Sequence, residues 1–110
     1  MHYFNKILYN LLLAAVLLQA AQATTVTVVN NTGKLLTVNC ASGNDNIGLK
    51  NLQDKESFNW SFQPNFSTLF YCDATQDGIK KHFDVYYNGI NGDPTWSVTR
   101  NGNILEANMK

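Results

Sequence analysis

From Thr25 onward the apolar side chains fall on every second position in short runs, and turn-forming residues bound each run. Thr25-Val26-Thr27-Val28-Val29 is β-branched throughout and leads into the turn chemistry of Asn30-Asn31-Thr32-Gly33. Leu36, Val38 and Cys40 alternate with Leu35, Thr37 and Asn39, and a polar loop over 42–46 follows. Ile47, Leu49 and Asn51 begin a third strand before the charged turn 53–56. Phe58, Trp60 and Phe62 alternate with Ser57, Asn59 and Ser61, the clearest period-2 stretch in the chain. After Pro64-Asn65, Phe70 and Cys72 alternate with Leu69 and Tyr71, and Thr75-Gln76-Asp77-Gly78 turns the chain again. Phe83, Val85 and Tyr87 alternate with His82, Asp84 and Tyr86, then a loop with two glycines spans 88–94. Trp96 and Val98 form the next strand, and Ile104-Leu105 the last. Asn101-Gly102 between them predicts a type I′ hairpin, which needs φ > 0 at both central residues.

No segment holds three turns of helical periodicity, so the chain reads as all-β with about eight short strands. Strands with one apolar face must hide those faces against each other, and a small antiparallel β-sandwich does so. A closed barrel shares the pattern and is the alternative. Phe58, Trp60, Phe62, Phe83 and Trp96 are expected in the core, with Tyr71, Tyr86 and Tyr87 outside it.

The start of the chain follows a different pattern. Residues 1–6 are short and polar with one lysine, 7–18 form an apolar run broken only by Asn10, and Ala21-Gln22-Ala23 offers small residues for cleavage. This is the order of a secretory signal peptide, and the run is too short for the roughly 20 residues that span a bilayer. The expectation is a signal peptide over 1–23 and a single secreted, soluble domain over 24–110, with no membrane insertion.

Charge then narrows the function. Charged residues make up only 15% of the 110, and the formal net charge is zero. A nucleic-acid partner is excluded, because neutralising phosphates needs a basic excess. Cys40 and Cys72 are the only cysteines, and in an oxidising compartment they read as one disulfide. The alternative is a pair of free thiols or metal ligands. A bridge would place their Cα atoms about 4.4–6.8 Å apart and stabilise the domain by about 3.5–4 kcal/mol. His82 is the single histidine after residue 23, so a four-ligand zinc site lacks parts and no metal or cofactor is expected. His82, Asp84 and Lys80 share one strand face without a pocket, which argues against catalysis. No enzyme activity is expected.

Three N-x-S/T sequons begin at Asn30, Asn59 and Asn65, about as many as this composition gives by chance. Position must choose among them. Asn30 and Asn65 fall in expected loops and are the favoured glycan acceptors, whereas Asn59 sits mid-strand beside a core tryptophan. Loops at the ends of a sandwich are its free surface for specificity. Of these, 88–94 is the favoured contact loop for a receptor, through Asn88, Ile90, Asn91 and Asp93. Ile90 either meets the partner or folds back as a plug over the sandwich end.

The ordered set Val26-x-Val28-x-Asn30, Leu36-x-Val38-x-Cys40-x-Ser42, Phe58-x-Trp60-x-Phe62, Leu69-Phe70-Tyr71-Cys72, Phe83-Asp84-Val85-Tyr86 and Trp96-Ser97-Val98 resembles the plant self-incompatibility S-protein homologue family. The resemblance runs over nearly all of 24–110. It implies a small secreted β-sandwich with a Cys40–Cys72 disulfide, acting as a ligand for a cell-surface receptor. The family commonly carries a second cysteine pair, one member lying just before the final tryptophan strand. Here Asp93-Pro94-Thr95 stands there, so loop 88–94 is expected to be less tethered. A monomeric, non-enzymatic recognition ligand is the reading these features favour. A secreted defence protein (a toxin, carbohydrate binder or nuclease-like factor) is the alternative.

Overall fold

The computed structural model describes residues 22–110, so the expected signal peptide lies almost wholly outside the described residues. Eight strands follow in order: β1 (Thr24–Asn30), β2 (Leu36–Ser42), β3 (Asn46–Leu52), β4 (Ser57–Phe62), β5 (Phe70–Gln76), β6 (Ile79–Tyr86), β7 (Thr95–Asn101) and β8 (Ile104–Met109). They form two four-stranded sheets, ordered β4-β1-β7-β8 and β3-β2-β5-β6. The expected sandwich is present. Its pairs are antiparallel except for β1 with β7, which run parallel, Val28 lying opposite Trp96.

The period-2 pattern explains the packing. Val26 and Val28 of β1, Leu36 and Val38 of β2, Val85 of β6 and Val98 of β7 are fully buried between the sheets. Along β1 and β2 the residues between them are more exposed, as the alternation requires. Cys40 and Cys72 lie directly opposite each other on β2 and β5 and form the expected disulfide. The bridge therefore joins two neighbours within one sheet. Direct opposition also brings the Cα atoms to 4.1 Å, slightly closer than the roughly 4.4–6.8 Å usual for a bridge.

Aromatic rings fasten the two sheets. Phe62 at the end of β4 lies 4.5 Å from Phe70 of β5 and 5.0 Å from Tyr86 of β6, between ring centroids. Trp96 of β7 lies 5.9 Å from Phe83 of β6 and donates its indole N–H to the Val85 carbonyl at 2.9 Å. Phe83 is buried, while Phe58, Trp60, Phe62 and Trp96 are half-buried and pack against the core. Tyr86 departs from expectation because it is buried. The β5–β6 register shifts between Phe70 and Tyr71, so that Phe70 pairs with Tyr86 and Tyr71 with Asp84. This bulge at Val85 puts Val85 and Tyr86 both inside and leaves Tyr87 exposed.

Turn chemistry was displaced by one residue at the last hairpin. Asn101 pairs with Ile104, so the central residues are Gly102 and Asn103. Of these only Gly102 has positive φ, at 60°, the arrangement a II′ turn uses rather than I′. At the β5–β6 hairpin Asp77 and Gly78 both have positive φ, as a I′ turn needs.

Candidate recognition surface

The eight strands leave two ends, and the two differ in chemistry. One end gathers the β1–β2, β3–β4, β5–β6 and β7–β8 turns and is closed by polar side chains. Asn30 is at its centre, the last residue of β1, with no exposed surface. Its Nδ2 donates to the carbonyls of Lys34, Leu52 and Gln53 at 2.8, 2.9 and 3.1 Å. Its Oδ1 accepts from the Thr32 amide and hydroxyl. Asn30 is therefore the end of a strand rather than part of a loop, and its amide nitrogen is enclosed by three carbonyls.

Gln76 repeats the device beside it. It is buried, donates to Thr32 Oγ1 at 2.7 Å and to the Leu35 carbonyl at 3.0 Å, and accepts from Arg100 at 3.0 Å. Arg100 also reaches Asp77 at 2.9 Å, and Lys34 pairs with the same carboxylate. The Lys34 hydrogen bond first, then that of Arg100, holds Asp77 below its ordinary value of 3.8. Lys34, Arg100 and Asp77 are thus all partnered within the chain, which closes this end with its own side chains.

The opposite end is open. Between the β2–β3 turn and the loop 63–69 lies a groove of about 510 Å³, lined by Ser42, Asn44, Asp45, Phe62, Asn65 and Leu69 among others. Asn65 shapes the loop, its Oδ1 accepting from the Ser67 amide at 2.9 Å and the Ser67 hydroxyl at 2.8 Å. The result is to hold Phe66 out in solvent, 85% exposed, with Leu69 at 44%. Neither residue was singled out from the sequence. The available signal was a lone aromatic inside the turn cluster Pro64-Asn65-Phe66-Ser67-Thr68, a place where packing gives it no reason to be.

Loop 88–94 stands at the same end but is better tied than expected. Asp93 Oδ1 accepts from the Thr25 amide at 2.8 Å, and the Pro94 carbonyl accepts from the Thr27 amide at 3.0 Å. Asp93 thus ties the end of the loop to the start of β1. Ile90 is half-buried and packs against the core, as the plug arrangement requires, while Asn88 and Asn91 are exposed. His82 lies elsewhere, on the outer face of the second sheet, 2.8 Å from Asp73 and 3.9 Å from Asp84. The Tyr71 ring lies tilted beside it, centroids 5.3 Å apart, and His82 itself does not line the groove. Among the described residues no cluster of three or more His, Cys, Asp or Glu is placed to hold a metal ion, and no helix is long and apolar enough to cross a membrane.

Comparison with known proteins adds kinship to this geometry. The profile of the family described as plant self-incompatibility protein S1 matches residues 25–110. The chain belongs to that family. S-protein homolog 5 of Arabidopsis thaliana is 36% identical to this S1-family chain over 88 residues, which cover 74% of it and 69% of that relative. S-protein homologs 24 and 3 of the same plant are 39% and 40% identical over 66 and 65 residues. Those matches span 44% and 43% of the relatives' own lengths, less than half of each. No solved structure matches this S1-family chain.

Proposed function

We propose that this protein is a secreted, non-enzymatic recognition ligand that binds a cell-surface protein through the open end of its sandwich. The observation that carries the reading is Phe66, held in solvent between the groove-lining residues Asn65 and Ser67 by a loop whose own hydrogen bonds fix its shape. An aromatic side chain kept out of water's way by nothing in its own chain suits an anchor for a partner's pocket. The disulfide between β2 and β5 and the polar closure of the far end make a rigid support for such a surface. Asn88 and Asn91, exposed on the tethered loop at the same end, supply polar contacts at the rim. Secretion rests on the apolar run at 7–18 with its small-residue cleavage site. The non-enzymatic reading rests on where His82 lies, on a flat, solvated sheet face.

The test is binding of the labelled mature domain to intact plant cells. A saturable signal that disappears when the cells are first treated with protease supports a protein receptor. A signal that never saturates, or that survives protease and is competed by sugars, rejects it in favour of a carbohydrate-binding defence protein.

A further inference from the structure

Three asparagines head sequons, and the fold treats their amide nitrogens in opposite ways. Asn30 and Asn65 share one local arrangement: the Oδ1 of each accepts from the backbone amide and the hydroxyl two residues on. They differ at Nδ2. That of Asn30 is fully buried and given to three carbonyls, whereas Asn65 is exposed and its Nδ2 donates to no acceptor among the described residues. Asn59 lies on β4, an outer strand of its sheet, opposite Thr27. Because Phe58 and Trp60 turn inward, Asn59 turns out and is exposed.

From this we infer that Asn59 and Asn65 carry N-linked glycans in the folded protein and that Asn30 does not. This assignment rests on the secretory reading above. The transfer forms a bond from asparagine Nδ2 to the anomeric carbon of an oligosaccharide. The bond from that carbon to a lipid pyrophosphate breaks, the pyrophosphate leaves as the anion, and one amide proton passes to the transferase base. The transferase meets the chain before it folds, so the fold acts as a filter. A chain glycosylated at Asn30 cannot place Nδ2 against Lys34, Leu52 and Gln53, and its polar end stays open. Chains modified at Asn59 or Asn65 lose no internal hydrogen bond.

The full-length chain expressed in leaf cells decides the matter. Protein from the extracellular fluid is digested with a peptide N-glycosidase in heavy-oxygen water and mapped by mass spectrometry. Heavy-oxygen aspartate is expected at 59 and 65 and unmodified asparagine at 30. Asn59→Gln and Asn65→Gln should each remove one glycan from the intact mass. A glycan at Asn30 in the extracellular protein overturns the inference, and an empty 59 or 65 overturns the assignment of that site. A chain that stays in the cytosol with residues 1–23 attached contradicts the secretory reading instead. The same chain behind the host's own leader then reads the three sites by the same criteria.

Discussion

At Asn30 a single amide satisfies acceptors from two different turns, the carbonyl of Lys34 on one side and those of Leu52 and Gln53 on the other. A run such as Asn-Asn-Thr-Gly reads as turn chemistry, and the turn is there, but sequence does not say that the asparagine at its head faces inward. The distinction has a measurable consequence. Aspartate serves an Asx turn as well as asparagine does, so a mere turn residue would tolerate Asn30→Asp. Here the change sets a carboxylate oxygen against three carbonyls in a buried site. Asn30→Asp should lower stability more than Asn30→Ala, which itself should cost about 3 kcal/mol through its orphaned acceptors. The Tm should then fall by more than about 10 °C in calorimetry. Asp77 gives a second residue-level expectation. Lys34 and Arg100 hold its carboxyl below the ordinary 3.8, so the folded state binds its proton less readily than the unfolded chain. That contribution is complete above the ordinary value and is lost as pH falls through the lower, folded one. Asp77→Asn should therefore flatten the fall of Tm as pH drops below the ordinary 3.8, with little change near neutrality.

The strands themselves were legible because alternation is a direct record of burial. Val26-x-Val28 and Phe58-x-Trp60-x-Phe62 point inward as their spacing says. Alternation failed at Tyr86, where a bulge slips the register and turns the face over, and no local signal marks that point. The parallel pairing of β1 with β7 was equally hidden, since it joins segments far apart in the chain. The loop between β6 and β7 shows the same limit from another direction. A missing cysteine suggests slack, but Asp93 reaches the Thr25 amide and Ile90 packs on the core. Ile90→Ser should accordingly lower stability by about 1–3 kcal/mol in urea unfolding. A domain that melts as the parent does would show that Ile90 is not a plug and return it to the list of contacts.

Across the whole molecule the two ends of the sandwich divide the work. One end spends its amides and charges on closing the fold, through Asn30, Gln76, Arg100 and Asp77. The other keeps a groove and the exposed Phe66 and Leu69. Strand count could be read along the chain, but this division could not, because it depends on which turns the topology brings together. The loops over 42–46 and 63–69 become neighbours only once β2 pairs with β5, Ser42 opposite Phe70. If the open end is the recognition surface, Phe66 can be removed without disturbing the fold, for it touches solvent rather than core. Phe66→Ser should leave Tm within about 2 °C of the parent, since surface changes usually stay within ~0.5 kcal/mol. It should weaken cell-surface binding at least tenfold, the loss expected when an anchor worth more than about 1.4 kcal/mol is removed. Lys80→Ala, on the exposed face of β6, should change neither quantity. Equal binding by the Phe66 variant and the parent would place the partner elsewhere on the molecule and leave the groove without a role.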